Sequence, residues 1–585
     1  MEFTLVFDYV PDLQKINKNI FFINRKISSL YSEEEKKYLN IKIVKNFKYI
    51  SDKDKIEFVN DLEQKLFPFL IDLINSNNNL NLDYRSGKII FGHWFRKKLR
   101  YIYNKYYILN NLLNQHQIKE CIFLNSNIDL PLVKFSNETS LLFNDIKYNN
   151  FLYSIILEYL NFKNIKYLKY DFLKKNNKFD KIKKKQNTIN SLIKYILEIV
   201  FSVKSQKKYK YFISSSYLSY YNEFLLNLLF FQIPNYQFFK TAKNNSSINY
   251  NLRKKIDIQL STIGKFNKFD KFIMSYLFKT IPISFLEEYK YILNKLNSFN
   301  LPKKPEVIFT SNLYEDNDYF KIWTALKVAN NAKLFIGQHG NNYFTSILHK
   351  NTVEEEVCDK FFIWGKNKSN KKYVNSFIFK NILKNNTRNN NGLLITLEHL
   401  KISIECSDPW DEFNKYLDTV SNFLNTLNPK ILNETTVRLH SASLKDGFNF
   451  KTENFLDKVT KKCRVSYGLS SIHKLFSKNK LILHTYDSTG LLETLISNKP
   501  TLVFLINGID HINQSYRHLY DLLIEVKIIH LSSDSLLNHL NMYWDDLDTW
   551  WFDFNTQKNI NIFCNNLVCD SNNKVIKLKK LIKNN

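Results

Sequence analysis

Six consecutive polar residues form the stretch of the sequence that is most typical of a binding or catalytic site. They follow the apolar run Leu481–Leu483 and are His484, Thr485, Tyr486, Asp487, Ser488 and Thr489. A helical pattern begins behind them, so their hydroxyls and the free backbone N–H groups of the helix start favour an anion such as a phosphate. Glu493, one turn further on, could accept hydrogen bonds from ribose hydroxyls. The alternative is that Ser488 or Thr489 caps the helix and Glu493 is a solvated acid, but six polar groups exceed what a cap needs.

Two histidines elsewhere follow apolar runs and are further candidates. His339 lies in Gln338-His339-Gly340-Asn341-Asn342-Tyr343, directly after the run Leu334–Gly337. His93 lies in Gly92-His93-Trp94, which we interpret as a turn that could bring this histidine near a cleft. The alternatives are that His339 holds its own loop by hydrogen bonds and that His93 packs under an aromatic cluster.

The elements that must position these residues alternate between strands and helices. Around the polar elbow the pattern is strand, turn, helix and strand (Thr501–Ile506), a βαβ unit with a parallel sheet. Ligands on such sheets bind beyond the carboxyl ends of the strands. Further strands are predicted at Asn19–Asn24, Glu120–Asn125, Tyr209–Ser216, Glu306–Thr310, Leu334–Gly337, Asp359–Trp364, Leu393–Leu397, Thr435–His440, Arg464–Tyr467 and Ile528–Leu531. Helices are predicted at Glu33–Lys45, Asp54–Ser76, Leu218–Phe231, Tyr319–Ala329, Trp410–Leu427 (with Asp408 as its N-cap), Phe455–Lys462, Ile472–Ser477, Asn513–Val526 and Asp534–Trp551.

This alternation predicts an α/β fold with two Rossmann-like, doubly wound domains that face each other across a cleft. Residues 1–385 would form the N-terminal, acceptor-side domain with helical insertions. Residues 386–549 would form the C-terminal, nucleotide-donor domain, after an Asn-rich linker that ends near residue 391. Residues 550–585 would pack back toward the N-terminal domain through Trp550 and Trp551, and end in a frayed Lys-rich tail, Lys574–Asn585.

Composition narrows the function classes. The chain has 585 residues, 44% of them hydrophobic, and a net charge of +29, which invites a nucleic-acid interpretation. The abundance of Lys, Asn, Ile, Phe and Tyr is what an AT-rich genome encodes everywhere, and no nucleic-acid-binding motif is present, so we expect no nucleic-acid partner. The six scattered cysteines form no C-x-x-C pair, which indicates free thiols in a reducing compartment.

Several motifs are missing from the sequence. It contains no G-x-G-x-x-G after a strand, no G-x-x-x-x-G-K-[ST] loop and no D-x-D pair at a strand end. Two Rossmann-like domains without these motifs suit a metal-independent GT-B transferase, in which helix N-termini and basic side chains carry the phosphate charge. We also find no signal peptide and no spanning segment, so we expect a cytoplasmic protein. The basic run 173–187 is either a solvated loop or a peripheral contact with the inner face of the cytoplasmic membrane.

The sequence also resembles a known family, the GT-B-like transferases of bacterial surface-carbohydrate (O-antigen type) loci. The pieces that match in order and rough spacing are Ile89–Trp94, Gly337–Tyr343, Asp359–Gly365, Val437–Gly447, His484–Pro500 and Trp550-Trp551. Two departures are that Asn24-Arg25 stand where the family has Gly-Glu-Trp-Cys, and that His93 stands where it has proline. More distantly, the chain is similar to the glycerol-phosphate polymerases of teichoic-acid synthesis and to capsule ulosonic-acid transferases.

The resemblance implies roles for the candidate residues. His339 would be the general base, since an attacking sugar hydroxyl needs a base of near-neutral pKa. The donor side would comprise Arg438, His484, Thr485, Tyr486, Ser488, Thr489 and Glu493, and the acceptor side of the cleft Gln338, Gly340, Asn341, Tyr343 and His93. No cofactor or metal is implied. The substrates would be a nucleotide-activated sugar or polyol phosphate and a saccharide or lipid-linked saccharide acceptor, in O-antigen or lipopolysaccharide synthesis. The alternative from another class is a non-catalytic scaffold of a polysaccharide assembly complex.

Overall fold

The fold is taken from a computed structural model. It describes residues 2–10, 13–23, 25–28, 31–44, 53–124, 132–143, 145–168, 206–235, 248–341, 343–349, 352–366, 370–380, 382, 391–398, 409–440, 455, 459, 462–468 and 470–585. Several sequence predictions lie outside these residues: the basic run 173–187, the N-cap Asp408, the linker up to residue 390, residues 441–447 and most of the helix Phe455–Lys462.

Within the described residues the strands form three sheets, and all strand pairs are parallel. The first sheet has the order β3-β2-β1-β4-β5 and contains β1 (Phe3–Val6), β2 (Asn19–Phe22), β3 (Asn40–Ile43), β4 (Ile118–Leu124) and β5 (Ile165–Leu168). The second has the order β10-β9-β8-β7-β6 and contains β6 (Tyr211–Ile213), β7 (Val307–Thr310), β8 (Lys333–Gly337), β9 (Lys360–Ile363) and β10 (Tyr373–Asn375). The third has the order β13-β12-β11-β14-β15-β16 and contains β11 (Leu393–Thr396), β12 (Thr435–Arg438), β13 (Arg464–Ser466), β14 (Leu481–His484), β15 (Thr501–Phe504) and β16 (Ile529–His530).

Helices connect the strands. Those up to the end of the second sheet are α1 (Arg25–Ser28), α2 (Glu33–Lys36), α3 (Lys53–Asn78), α4 (Tyr84–Gln115), α5 (Thr139–Leu142), α6 (Ile146–Tyr159), α7 (Tyr220–Leu229), α8 (Tyr250–Ser261), α9 (Lys268–Lys279), α10 (Tyr289–Asn297), α11 (Leu313–Asp316), α12 (Asp318–Ala329) and α13 (Val353–Val357). Those after it are α14 (Pro409–Thr426), α15 (Pro429–Asn433), α16 (Ile472–Phe476), α17 (Thr489–Ile496), α18 (Gln514–Glu525), α19 (Ser533–Tyr543), α20 (Leu547–Trp551), α21 (Phe554–Leu567) and α22 (Lys574–Asn584). Short 3₁₀ turns lie at Leu13–Lys15, Ser136–Glu138, Ile283–Phe285 and Ile347–His349.

The predicted fold class, α/β with parallel Rossmann-like sheets, is confirmed. The third sheet shows why the sequence indicated it, because β11, β14 and β15 each have three apolar residues out of four and are buried on both faces, as a sheet covered by helices on each side requires. Its strand order reverses between β11 and β14. This switch point is where ligands bind in doubly wound sheets, and the polar elbow follows β14.

The N-terminal half of the chain contains two sheets, where the sequence pattern indicated a single one. The predicted helix Glu33–Lys45 is wrong, because α2 ends at Lys36 and Asn40–Ile43 forms β3. The alternating pattern Asn-Ile-Lys-Ile has the period of a strand with one exposed face, and it pairs with β2. One continuous apolar core nevertheless joins the first and second sheets, while the boundaries of the predicted domains stay a prediction.

The predicted turn at Gly92-His93-Trp94 is also wrong. These residues lie within α4, which runs without a break and is capped by Asp83, whose carboxylate accepts from the backbone N–H of Ser86. Glycine is needed here for packing rather than for a turn. A Cβ on Gly87 would lie 2.6 Å from Ile71 of α3, so the glycine permits the two long helices to approach closely.

The C-terminal region is ordered and joins two parts of the molecule. Trp550 and Trp551 pack into the apolar core of the third sheet, and α20 is separated from α19 because Asp546 caps a new helix. The predicted single helix Asp534–Trp551 is therefore two helices. The predicted frayed tail is wrong, since Leu578 and Ile582 of α22 are buried on one face of the second sheet. No helix among the described residues is long and apolar enough to cross a membrane.

Candidate functional site

The loop after β8 carries the Gln-His-Gly sequence, and Gln338 fixes its shape. The side-chain oxygen of Gln338 accepts from the backbone N–H of Trp364 at 2.9 Å, and its amide donates to the carbonyl of Gly340 at 2.9 Å. Gln338 is buried, so these two hydrogen bonds satisfy an amide that water does not reach. The neighbouring His339 is thereby held at the carboxyl end of the second sheet.

His339 is half-buried, and its two ring nitrogens face different protein groups. The hydroxyl of Tyr343 lies 2.9 Å from Nδ1, and the carboxylate of Glu315 lies 3.5 Å from Nε2. The ring of Tyr217 lies edge-on with its centroid 5.9 Å from that of His339. Burial opposes the charge of Glu315, but the hydrogen bond and positive charge of His339 outweigh it and hold the pKa of Glu315 well below its usual range. The carboxylate of Glu315 therefore lies where it can stabilise a positive charge on the imidazole ring.

The structure also brings His93 to this place, although through helix α4 rather than through a turn. Its Nε2 lies 3.2 Å from the buried carboxylate of Glu354, which also accepts from the hydroxyl of Tyr343 at 3.2 Å. Burial opposes the charge of Glu354, yet the adjacent His93 outweighs it, so the pKa of Glu354 is lowered. Burial and the nearby Glu354 raise the pKa of Tyr343 well above its ordinary value.

Glu315 and Glu354 are the site residues that the sequence interpretation missed. Glu315 follows β7, so its position at a strand end was a usable signal. Glu354 lies in an acidic run, Glu354-Glu355-Glu356, which is typical of a solvated surface and gave no signal. One donor atom from each of His93, Glu315 and Glu354 lies within 4.8 Å of the others, so these side chains are of the type that could hold a divalent cation.

The polar elbow after β14 is mostly an internal hydrogen-bond network. His484 is 1% exposed, and hydroxyls lie 2.8 Å from its Nδ1 (Thr396) and 3.3 Å from its Nε2 (Thr494). Burial lowers the pKa of His484 to about 3, so the ring is neutral. The hydroxyl of Thr485 donates to the Thr396 carbonyl at 2.8 Å, and that of Ser488 caps α17 by accepting from Leu491 at 3.1 Å.

These contacts show where the structure places the residues of the expected donor set. His484 and Thr485 lie behind the elbow and tie it to β11 at the switch point, because neither is accessible and both are bonded inside the protein. Ser488 performs the capping role that was the alternative interpretation. Tyr486 and Thr489 are only partly buried, so they are the members of the elbow that a ligand can reach.

The Gln-His-Gly loop and the elbow touch each other directly. Asn341 donates from its backbone N–H to the hydroxyl of Thr489 at 3.1 Å, and from its side-chain amide to the carboxylate of Asp487 at 2.7 Å. Gly340 passes so close that a Cβ would lie 3.7 Å from the Thr489 hydroxyl. Asp487 is further held by the hydroxyl of Tyr520 at 2.8 Å. The carboxyl ends of the second and third sheets therefore face each other, with His339 beside the contact.

Arg438 ends β12 at the same edge of the third sheet. Its guanidinium makes only long contacts, at 3.5 Å to the carbonyl of Gly468 and 3.3 Å to that of Ser470. The Nε is buried and has no hydrogen-bond partner among the described residues. Burial lowers the pKa of Arg438, and the neighbouring Tyr486 opposes that shift. Among the described residues, no carboxylate forms an ion pair with this arginine.

Glu493 lies on the side of α17 that faces the second sheet. Its carboxylate accepts from Lys380 at 2.9 Å, and the ammonium of Lys380 lies 5.0 Å from the centre of the Tyr217 ring. His473 Nε2 is 3.8 Å from the second carboxylate oxygen. Glu493 also lines a small cavity of about 20 Å³, whose other lining residues are Ile382, His473, Phe476, Ser477, Ser497 and Lys499. The carboxylate is thus buried and paired, and the cavity beside it has room for about one water molecule.

Comparison with known protein families shows which family the chain belongs to. The model of the family described as LIC12162 family transferase matches residues 3–582, so the chain belongs to that family and is a transferase by membership. No protein with a curated description matches the sequence.

Solved structures that are similar to the chain include three enzymes. The UDP-GlcNAc 2-epimerase from Neisseria meningitidis bound to UDP-GlcNAc has 12% identity and a TM-score of 0.31, with 63% of this chain and 90% of that chain covered. The wall teichoic acid polymerase TagF has 12% identity and a TM-score of 0.30, with 50% and 84% covered. WaaG, a glycosyltransferase involved in lipopolysaccharide biosynthesis, has 12% identity and a TM-score of 0.27, with 51% and 82% covered.

Proposed function

We propose that the protein transfers a glycosyl unit, with ulosonic acids among the candidates, or a polyol-phosphate unit from a nucleotide-activated donor to a saccharide acceptor. The process would be the synthesis of a surface polysaccharide of the O-antigen or lipopolysaccharide type. The observation that carries this proposal is the direct contact between the His339 loop and the elbow of the third sheet. It sets a base on one sheet opposite an anion site on the other, as a transfer between two bound substrates requires.

The donor would bind at the switch point of the third sheet. Arg438 would neutralise its phosphate or carboxylate, because no described acid competes for the guanidinium. Thr489 and Tyr486 would complete the anion site from the elbow, together with the first N–H groups of α17. Glu493 would accept a hydrogen bond from a ribose hydroxyl of the donor nucleoside.

The acceptor would approach from the second sheet. Its hydroxyl would give its proton to Nε2 of His339 as the oxygen attacks the activated carbon or phosphorus of the donor. The new bond to oxygen forms while the bond to the leaving nucleotide breaks, and the released phosphate charge stays at Arg438. Tyr343, at Nδ1, fixes the orientation of the ring. Glu315 stabilises the imidazolium that results.

Two finer expectations belong to the same proposal. The reaction would need no metal, since Arg438 and the helix N-terminus supply positive charge where the leaving group departs. The protein would work in the cytoplasm, where nucleotide-activated donors are made. Its acceptor would be a saccharide, either free or lipid-linked.

The test is a panel of CMP-, UDP-, GDP- and CDP-linked donors, with affinity measured by calorimetry and turnover measured with and without EDTA. We expect one nucleotide to bind and one donor to be consumed at the same rate in both conditions. Binding of no donor would contradict the proposal. Donor binding without turnover would favour the scaffold alternative. If EDTA abolished turnover and Mn²⁺ or Mg²⁺ restored it, metal independence would be wrong, and Glu354→Gln should then lower the affinity for that metal.

A further inference from the structure

Helices α7 and α22 lie side by side on one face of the second sheet. Leu226 and Phe230 of α7 and Leu578 and Ile582 of α22 pack into the same apolar core on that face. Because both helices bury one side against one sheet, their opposite sides face the solvent in the same direction. We call this outer side the α7/α22 surface, and its exposed residues are Tyr220, Tyr221, Leu228, Phe231, Ile576, Lys577, Lys580 and Lys583.

The half of the surface that belongs to α7 is aromatic and unusually exposed. Tyr220 is 75% exposed, Tyr221 is 70% exposed and Phe231, just beyond the helix end, is 92% exposed. Tyr221 and Leu228 are seven residues apart, or two turns, so they lie one above the other on the same side of the helix. Large apolar side chains that cluster in solvent mark a surface that binds something.

The half that belongs to α22 is basic. Lys577, Lys580 and Lys583 recur every three residues and are exposed, and within the described residues none of them forms an ion pair. Neither helix adds a carboxylate to the surface. The acid of α7, Glu223, is buried and accepts hydrogen bonds from Ser216, and α22 contains no acid.

We propose that the α7/α22 surface docks on an anionic membrane. Tyrosine and phenylalanine rings favour the zone between lipid headgroups and acyl chains, and lysines beside them bind anionic headgroups. An acidic macromolecule would use the lysines and leave the aromatic residues in water. An apolar protein partner would bury the aromatic residues and leave three lysines unpaired. A membrane interface suits both halves at once.

The surface also adjoins the candidate active site. The chain leaves β6, passes Tyr217, whose ring contacts that of His339, and enters α7 three residues later at Tyr220. A membrane bound at the amino end of α7 would therefore lie close to Tyr217 and His339. A lipid-linked acceptor would follow from this closeness if the proposed function is right, whereas the docking itself does not depend on that function.

The experiment is co-sedimentation of the full chain with vesicles. We expect binding to vesicles that contain phosphatidylglycerol in phosphatidylcholine, weaker binding as salt is raised because the lysines are screened, and little binding to phosphatidylcholine alone. Absence of binding to the phosphatidylglycerol vesicles would overturn the proposal.

Matched variants then test the location, because a net charge of +29 could attract any anionic surface. Lys580→Gln/Lys583→Gln should weaken binding roughly five-fold for each lysine removed. Lys254→Gln/Lys255→Gln on α8 removes the same charge from exposed positions elsewhere and should have a clearly smaller effect. Equal effects of the two pairs would overturn the proposal in favour of a general charge effect.

The aromatic half has its own pair of variants. Tyr221→Ser/Leu228→Ser should weaken vesicle binding, while Tyr250→Ser, which removes an exposed ring from α8, should not. Unchanged binding of the first variant would contradict docking through α7. Turnover on a water-soluble acceptor should be the same for all these variants, so a failure of the docking proposal is distinguishable from a failure of the proposed function. The thermal midpoint of each variant checks that it folds.

Discussion

The side-chain amide of Asn341 donates a hydrogen bond of 2.7 Å to the carboxylate of Asp487, and this contact joins the loop after β8 to the elbow after β14. The two residues are 146 positions apart in the chain and belong to different sheets. Asp487 is buried and also bonded to Tyr520, so its position is fixed by the third sheet. The loop after β8 therefore bonds to an acceptor that the third sheet holds in place, and His339 lies two residues before this contact.

We predict that Asn341→Ala and Asp487→Asn each lower kcat/KM about ten-fold, since a hydrogen bond to a charged group contributes about 1.5–3 kcal/mol. The double variant should be no worse than the worse single variant, because both changes remove the same contact. The measurement is a double-mutant cycle of kcat/KM. Asn330→Ala, whose amide bonds only within its own helix end, is the control. Multiplicative losses in the double variant would show that the two residues act independently.

His339→Ala should lower kcat by on the order of 10²–10⁴, the usual effect of removing a general base, and should leave the donor Kd almost unchanged. The reason is that His339 meets the acceptor hydroxyl, while the donor is held by the third sheet. Initial rates at saturating donor, set beside calorimetric donor affinity, measure both quantities. His518→Ala removes an exposed histidine of α18 and should change neither. Near-full turnover of His339→Ala would exclude this residue as the base.

Arg438→Ala should act in the opposite way and weaken donor binding roughly 10- to 100-fold, the effect of losing a charge-assisted hydrogen bond to phosphate. Arg438→Lys should recover part of the affinity, because the charge returns without the two-pronged geometry. Calorimetry with the donor identified in the panel is the measurement. The matched control is Arg464→Ala at the exposed start of β13. Equal donor affinity in Arg438→Ala and the unaltered protein would remove Arg438 from the anion site.

Three buried histidines should make the third sheet sensitive to acid. Burial lowers the pKa of His484 to about 3, of His530 to about 4 and of His539 to about 3. Between pH 6.5 and about 4, the unfolded chain therefore binds protons at these positions and the folded chain does not. The free energy of unfolding should fall with decreasing pH by up to about 1.4 kcal/mol per pH unit for each histidine.

A single substitution isolates one of these contributions. His539→Phe keeps a ring against Trp550, which the histidine contacts edge-on at 4.4 Å between ring centroids, but it cannot titrate. Denaturant unfolding from pH 7 to 4.5, followed by circular dichroism, should give a shallower pH dependence for this variant. His518→Phe, at an exposed position, should keep the slope of the unaltered protein. An unchanged slope in His539→Phe would contradict the assignment.

The sequence predicted the third sheet well, for a physical reason. Its strands β11, β14 and β15 are short, mostly apolar runs buried on both faces, and the strands alternate with amphipathic helices such as α18, so pattern and structure coincide. In the first sheet the sequence predicted β2 and β4 but not β1, β3 and β5, which are strands of only four residues. A run of acids and lysines before β3 has a helical appearance, although tertiary pairing with β2 decides its conformation.

The position of the candidate site was predicted from the sequence, but the contacts of its individual residues were not. The elbow does lie at the carboxyl edge of the third sheet and faces the Gln-His-Gly loop. Which of its side chains are accessible depends on partners that are distant in sequence, as Thr396 is from His484. The pairing of His93 with Glu354 depends on how α4 packs against α13, and no local pattern carries that information.

Two segments of the chain connect the second sheet with the third, because α22 returns to the second sheet. The backbone passes from the second sheet to the third between Lys380 and Leu393, and it returns between Leu567 and Lys574, where Lys574 donates to the carbonyl of Ile378 at 2.7 Å. The two lobes are thus joined by a pair of covalent tethers fastened to each other. Two adjacent connecting segments define a hinge axis, and rotation about that axis is the relative motion that would stretch neither of them. Such a rotation would separate Asn341 from Asp487.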